Sequence, residues 1–233
     1  MQPALMGAML QDQLVATAQQ SLLEANLLAG QAIDPQLFMV DAFTEIVDVY
    51  GTESALAARD YALADYAARG ERVRAGQIDL AAPSLEQADK SGRWAVFGVQ
   101  DEFEAAALDR LQGALTRLVL QSYRETVLNA ARDHGRRTRT AVARVPEAGA
   151  CAFCRMLASR GAVYGAARSA QSTKDGNRFH DNCRCSTQIA RIDGRDLPRS
   201  VRHLEREWAQ FSEETDSLTL SSYTKWLKEG ASR

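Results

Sequence analysis

The chain has 233 residues, 45% of them hydrophobic and 25% charged, a balance that excludes a disordered, collagenous or disulfide-laced protein and fits one or two globular domains. No run of about eighteen apolar residues occurs, and the apolar start from Pro3 to Leu10 lacks the positive flank and cleavage site of a secretory signal, so the protein is expected inside a cell when made. The net charge of −2 conceals a division: residues 1–58 carry seven acids and no Lys or Arg, whereas residues 132–206 carry sixteen basic groups against seven acids.

The first 130 residues predict helices. Leu10, Leu14, Ala18 and Leu22 recur every four residues, widened by Leu23 and Leu27, with Gly30 placed to end the segment. Asp34-Pro35 is a helix start, because the Asp oxygen accepts an orphan N–H and proline fits the first turn. That helix is expected to run through Phe38, Phe43, Ile46 and Val47 to Gly51. A third is expected from Thr52 to Arg69, stopped by Gly70. Residues 71–100 mix charge with Pro83, Gly92 and Gly98, and predict a short helix or two within a loop-rich connection. From Asp101 the longest periodic segment, with Leu108, Leu111, Leu115 and Leu118, ends near Arg132 before Gly135.

Beyond Gly135 the period changes. Thr138 to Val145 alternates and stops at Pro146, as a strand does. Residues 151–160 read as a knuckle running into a short helix, Ala162 to Tyr164 as a short strand and 165–178 as a polar loop. Cys185 to Ile192 read as another strand, and the segments from Pro198 to Trp208 and Ser221 to Lys228 as helices.

All four cysteines fall in one stretch, as Cys151-x-x-Cys154 and then His180-x-x-Cys183-x-Cys185. Two thiolates three apart on a turn present both sulfurs to one point, and a pair from a distant segment completes the tetrahedron that zinc accepts. Five donors compete for four positions. The preferred set is Cys151, Cys154, His180 and Cys183, with Cys185 on the same side of a strand as Cys183 and able to replace it. Four protein ligands leave no place for water, which favours a structural ion over a redox pair or a catalytic site. Such a staple suits a small domain of about 60 residues with few large apolar side chains.

Arg132, Arg136, Arg137, Arg139 and Arg144 are candidates for phosphate contacts with double-stranded DNA. The alternative is a solvated strand edge or a partner for the acidic N-terminal helices. His134 and His203 have no motif around them and are expected at the surface. Trp94, Phe97, Trp208 and Trp226 are expected as core or interface anchors, since none is interleaved with the arginines.

Ala143-Arg144-Val145-Pro146, the run from Cys151 to Tyr164 and His180-Asp181-Asn182-Cys183-Arg184-Cys185 together resemble the C-terminal domain of MuF-like minor head proteins of tailed bacteriophages, in the form found in phages and prophages of actinobacteria. The likeness is specific over about residues 143–187, and the helical first half is similar to that family's N-terminal region. The resemblance implies a minor capsid protein of the virion interior, assembled in the host cytoplasm, with the portal and other capsid or scaffold proteins as partners. Head morphogenesis and DNA packaging or delivery would be its tasks. No catalytic residue is implied; the metal-type positions Cys151, Cys154, His180, Cys183 and Cys185 are.

The expected architecture is α+β and mainly α: a helical bundle domain over 1–135, a zinc-knuckle domain with short β-strands over 136–195, and a helical tail over 196–233. Two rivals are a thiol- or metal-dependent transferase, hydrolase or nuclease using His180 and an unligated cysteine, and a cellular zinc-dependent DNA-binding protein. Neither membrane contact nor enzymatic activity is expected.

Overall fold

Asp34 does what its position predicts: its side chain accepts from the backbone N–H groups of Gln36 at 3.1 Å and Leu37 at 3.0 Å, with Pro35 in the first turn. In this computed structural model, which describes residues 3–98, 103–164, 181 and 183–230, that cap divides two long helices, α1 (Pro3–Ala29) and α2 (Pro35–Ala68). Then come a single 3-10 turn (Ala75–Gln77), α3 (Leu85–Phe97), α4 (Phe103–Thr138), β1 (Thr140–Val145), α5 (Ala152–Ala158), β2 (Ser186–Arg191), α6 (Arg199–Glu214) and α7 (Leu220–Gly230). The α+β, mainly α expectation holds. None of the described helices is long and apolar enough to cross a membrane.

The chain divides into two compact units, residues 1–130 with 171–184, and residues 131–170 with 185–233. In the first, α1 presents Val15, Ala18, Leu22, Ala25 and Ala29 to Met39, Val40, Phe43 and Val47 of α2. Ala88, Ala95 and Val96 of α3 and Leu111, Leu115 and Leu118 of α4 complete the same core. The buried stripe of α1 follows steps of three and four, as helical geometry requires, but it is rotated from the expected one: Leu10, Leu23 and Leu27 are exposed.

Two helices are longer than the sequence suggests, for one reason. Gly51 does not end a helix; it lies inside α2 where an added Cβ would come within 2.8 Å of the Pro83 ring. The expected pair of helices, 34–51 and 52–69, is therefore one. Gly135 likewise lies inside α4, where a Cβ would sit 2.3 Å from the Thr140 carbonyl oxygen, and the chain reverses only at Arg139, at φ 55°. Both glycines mark the close approach of a neighbouring segment, a proline ring at Gly51 and backbone at Gly135, not helix termination.

In the second unit β1 and β2 pair antiparallel, from Thr140 opposite Arg191 to Val145 opposite Ser186. Tyr164 adds an isolated bridge, exchanging backbone hydrogen bonds of 2.7 and 3.0 Å with Val142. Ala141, Ala143, Ala162, Ala190, Leu197 and Val201 form the core beneath. Helices α6 and α7 join through an aromatic cluster of Trp208, Phe211, Tyr223 and Trp226, with ring centroids 4.9 to 6.2 Å apart. The loop expected over 165–178 lies outside the described residues.

Candidate metal centre

The approach to β2 alternates: Cys183 and Cys185 are buried and Arg184 between them is exposed, as an extended chain with a period of two requires. Cys154 is the third residue of α5, which starts with Cys151 as its N-cap. The sulfurs of Cys154, Cys183 and Cys185 lie within 4.8 Å of one another, with residue exposures of 3%, 1% and 2%. All four cysteines are thiols, none of them disulfide-bonded.

Three soft donors at that separation suit a thiophilic ion. Zinc–sulfur bonds of 2.3 Å set a tetrahedral edge of about 3.8 Å, within reach of small side-chain rotations. The three clustered cysteines can therefore bind a metal ion. Cys151 is exposed and outside this group, because the cap position turns it to the start of the helix. His180 lies outside the described residues. Cys185 does not stand in for Cys183; the two are gathered together with Cys154.

Two arginines that the sequence did not flag hold the Cys183 segment. Arg124, fully buried in α4, donates from Nη2 to the Cys183 carbonyl at 2.7 Å and lies 4.0 Å from its sulfur. One heptad earlier, Arg117 pairs with Asp181 at 2.6 Å. Spacing of seven puts both on one helix face, and their partners, Asp181 and Cys183, are two positions apart in sequence. Two arginines seven apart in the long helical stretch, Arg117 and Arg124, were the available signal.

The five arginines considered for DNA divide by exposure. Arg132, Arg136, Arg137 and Arg139 are exposed. Arg144 is buried, with its guanidinium 5.5 Å from the centroid of the Tyr164 ring. His134, expected at the surface, is buried in α4; its carbonyl accepts from the Thr138 hydroxyl at 3.0 Å. His203 is exposed beside Glu207. Trp94 and Phe97 are exposed on α3, with Arg110 stacked on Trp94 at 4.8 Å.

A second polar arrangement joins α5, α6 and α7. Glu207 accepts from Arg155 and from the Tyr223 hydroxyl, beside a cleft of about 890 Å³. The acids lining it are matched within the unit: Arg155 on Glu207, Trp226 Nε1 on Glu214 at 2.7 Å and Lys225 near Glu229 at 3.8 Å. This network ties helices together and displays no unpaired carboxylate to a ligand.

Among protein families, one described as VG15 protein matches residues 9–211. No curated protein and no solved structure matches the chain.

Proposed function

The chain belongs to the VG15 protein family, which implies a phage-encoded protein, and from that premise we propose that it is a minor head protein of a tailed phage. Its work on this reading is structural: head morphogenesis near the portal, with a part in DNA packaging or delivery, inside the virion. Portal, shell or scaffold proteins are the partners of the helical regions, and packaged double-stranded DNA is the neighbour of Arg132, Arg136, Arg137 and Arg139. The MuF-like pattern over residues 143–187 supports the assignment.

The observation that carries the non-enzymatic part is the burial of all three clustered sulfurs. A thiol nucleophile or an open metal site needs access for substrate, and these residues offer a closed set of donors instead. On this reading Cys154, Cys183 and Cys185 hold zinc with a fourth donor from His180 or Cys151, and the ion supplies a cross-link that fixes the chain around it. Such a link contributes on the order of 10 kcal/mol to a small domain that lacks a large core of its own.

The test is direct. Co-purification with the portal protein of the same phage, and presence in purified particles, are the expected results; absence from particles overturns the assignment. Salt-dependent retention on duplex DNA tests the arginines separately, since phosphate contacts weaken steeply with salt whatever the sequence.

A further inference from the structure

The end of the α1–α2 hairpin carries apolar side chains that no core uses. Leu27 is 77% exposed and Ile33 fully so, with Leu23, Leu28 and Leu37 also exposed around them. Ile33 stands just before the Asp34 cap, where an apolar residue ordinarily folds back onto the fourth helical residue, here Phe38. It does not do so, and it projects from the turn. Glu24, Asp34 and Asp41 stand on the same stretch, and no Lys or Arg occurs anywhere in residues 1–58.

The second unit carries a surface of opposite sign. Ile192, just past β2, is 55% exposed, and its N–H donates to the Arg139 carbonyl at 3.1 Å. Arg191 precedes it opposite Thr140, and Arg136 is in the last turn of α4. Arg136, Arg139 and Arg191 are all exposed. The nearby acid Asp193 is occupied by Arg195 at 2.7 Å, and Asp196 accepts from the Arg191 N–H at 2.7 Å.

We propose that this protein associates with itself head to tail, the acidic apolar tip around Leu27 and Ile33 of one copy docking on the arginine-rimmed Ile192 surface of the next. Charge decides the occupant. Two tips facing each other would bring like charges together, whereas tip on basic surface pairs opposite charge and covers apolar side chains on both sides. The contact is heterologous, so repetition gives a ring or an open chain rather than a closed pair. This inference rests on exposure and charge alone and is independent of the head-protein assignment.

Sedimentation velocity on the full chain tests it, with two variants of exposed residues whose circular dichroism is expected to match the parent. One combines Leu27→Ser with Ile33→Ser; the other combines Arg191→Glu with Ile192→Ser. The parent is expected to form concentration-dependent oligomers that dissociate toward monomer at about 0.5 M salt. Each variant alone should associate roughly a hundredfold more weakly. A mixture of the two should form dimers that grow no further, because it retains one intact tip and one intact basic surface per pair. A parent that stays monomeric, a tip variant that associates as the parent does, or a mixture without dimers overturns the proposal. Loss of association in the tip variant but not in the arginine variant also overturns it, in favour of tip-to-tip pairing.

Discussion

Arg124 reaches from the buried face of α4 to the backbone carbonyl of Cys183, 2.7 Å away. A fully buried guanidinium is costly to desolvate and is retained where it organises something. Here it orients a cysteine whose sulfur is one of three clustered together, and it places a permanent positive charge 4.0 Å from that sulfur. Arg124→Met keeps most of the side-chain volume and removes both. A hydrogen bond from a charged donor contributes about 1.5–3 kcal/mol, so the variant should lose that much stability in a urea titration. Its affinity for cobalt, followed by thiolate-to-metal absorbance, should fall with it. Unchanged cobalt affinity would mean that Arg124 only supports packing.

The cysteines themselves are predicted to act unequally. Cys154→Ser, Cys183→Ser and Cys185→Ser should each remove the bound zinc measured in the purified protein, because each takes away one of the clustered sulfurs. His180→Ala and Cys151→Ser identify the fourth donor: one of them should weaken zinc retention against a chelator and the other leave it unchanged. Chelation of the parent should lower the melting temperature, since a ligand set that binds only in the folded state stabilises by mass action.

Much of this was readable from local chemistry. The Asp34-Pro35 start, the two strands and the clustering of the cysteines depend on residues near one another in sequence or on spacings of two and three. What could not be read depended on distant neighbours. Gly51 and Gly135 carry the signature of helix stops, yet each is small because Pro83 or the Thr140 backbone lies against it. The α1 stripe was misphased because Leu23 and Leu27 are as apolar as the buried Leu22, and periodicity alone does not say which of two adjacent faces meets a partner. The heptad spacing of Arg117 and Arg124 was too weak a signal to single them out, because an arginine in a helix is ordinarily solvated.

Gly51→Ala separates the two explanations for that glycine. If it were merely a weak helix residue, alanine would stabilise by about 1 kcal/mol. The added methyl instead meets the Pro83 ring at 2.8 and 3.1 Å, and a ring cannot swing aside as a flexible chain end can. Overpacking of that kind costs about 1–3 kcal/mol. A net loss of stability is expected in thermal unfolding, and a rise in melting temperature would show that the Pro83 segment yields.

Alkaline unfolding should report on the first unit through Tyr123. Burial raises the pKa of this phenol well above its ordinary value of 10.0, a hydrogen bond with Gln11 opposing the shift only in part. The unfolded chain therefore loses the proton first. With the folded pKa raised, the stabilisation is complete below pH 10.0 and is lost as pH rises from there towards the folded value. The slope owed to one such group is about −1.4 kcal/mol per pH unit. Tyr123→Phe keeps the ring in place and removes the proton, so denaturant titrations between pH 10 and 11.5 should show a shallower decline by about that slope. An equally steep decline in the variant would assign the alkaline sensitivity to other groups.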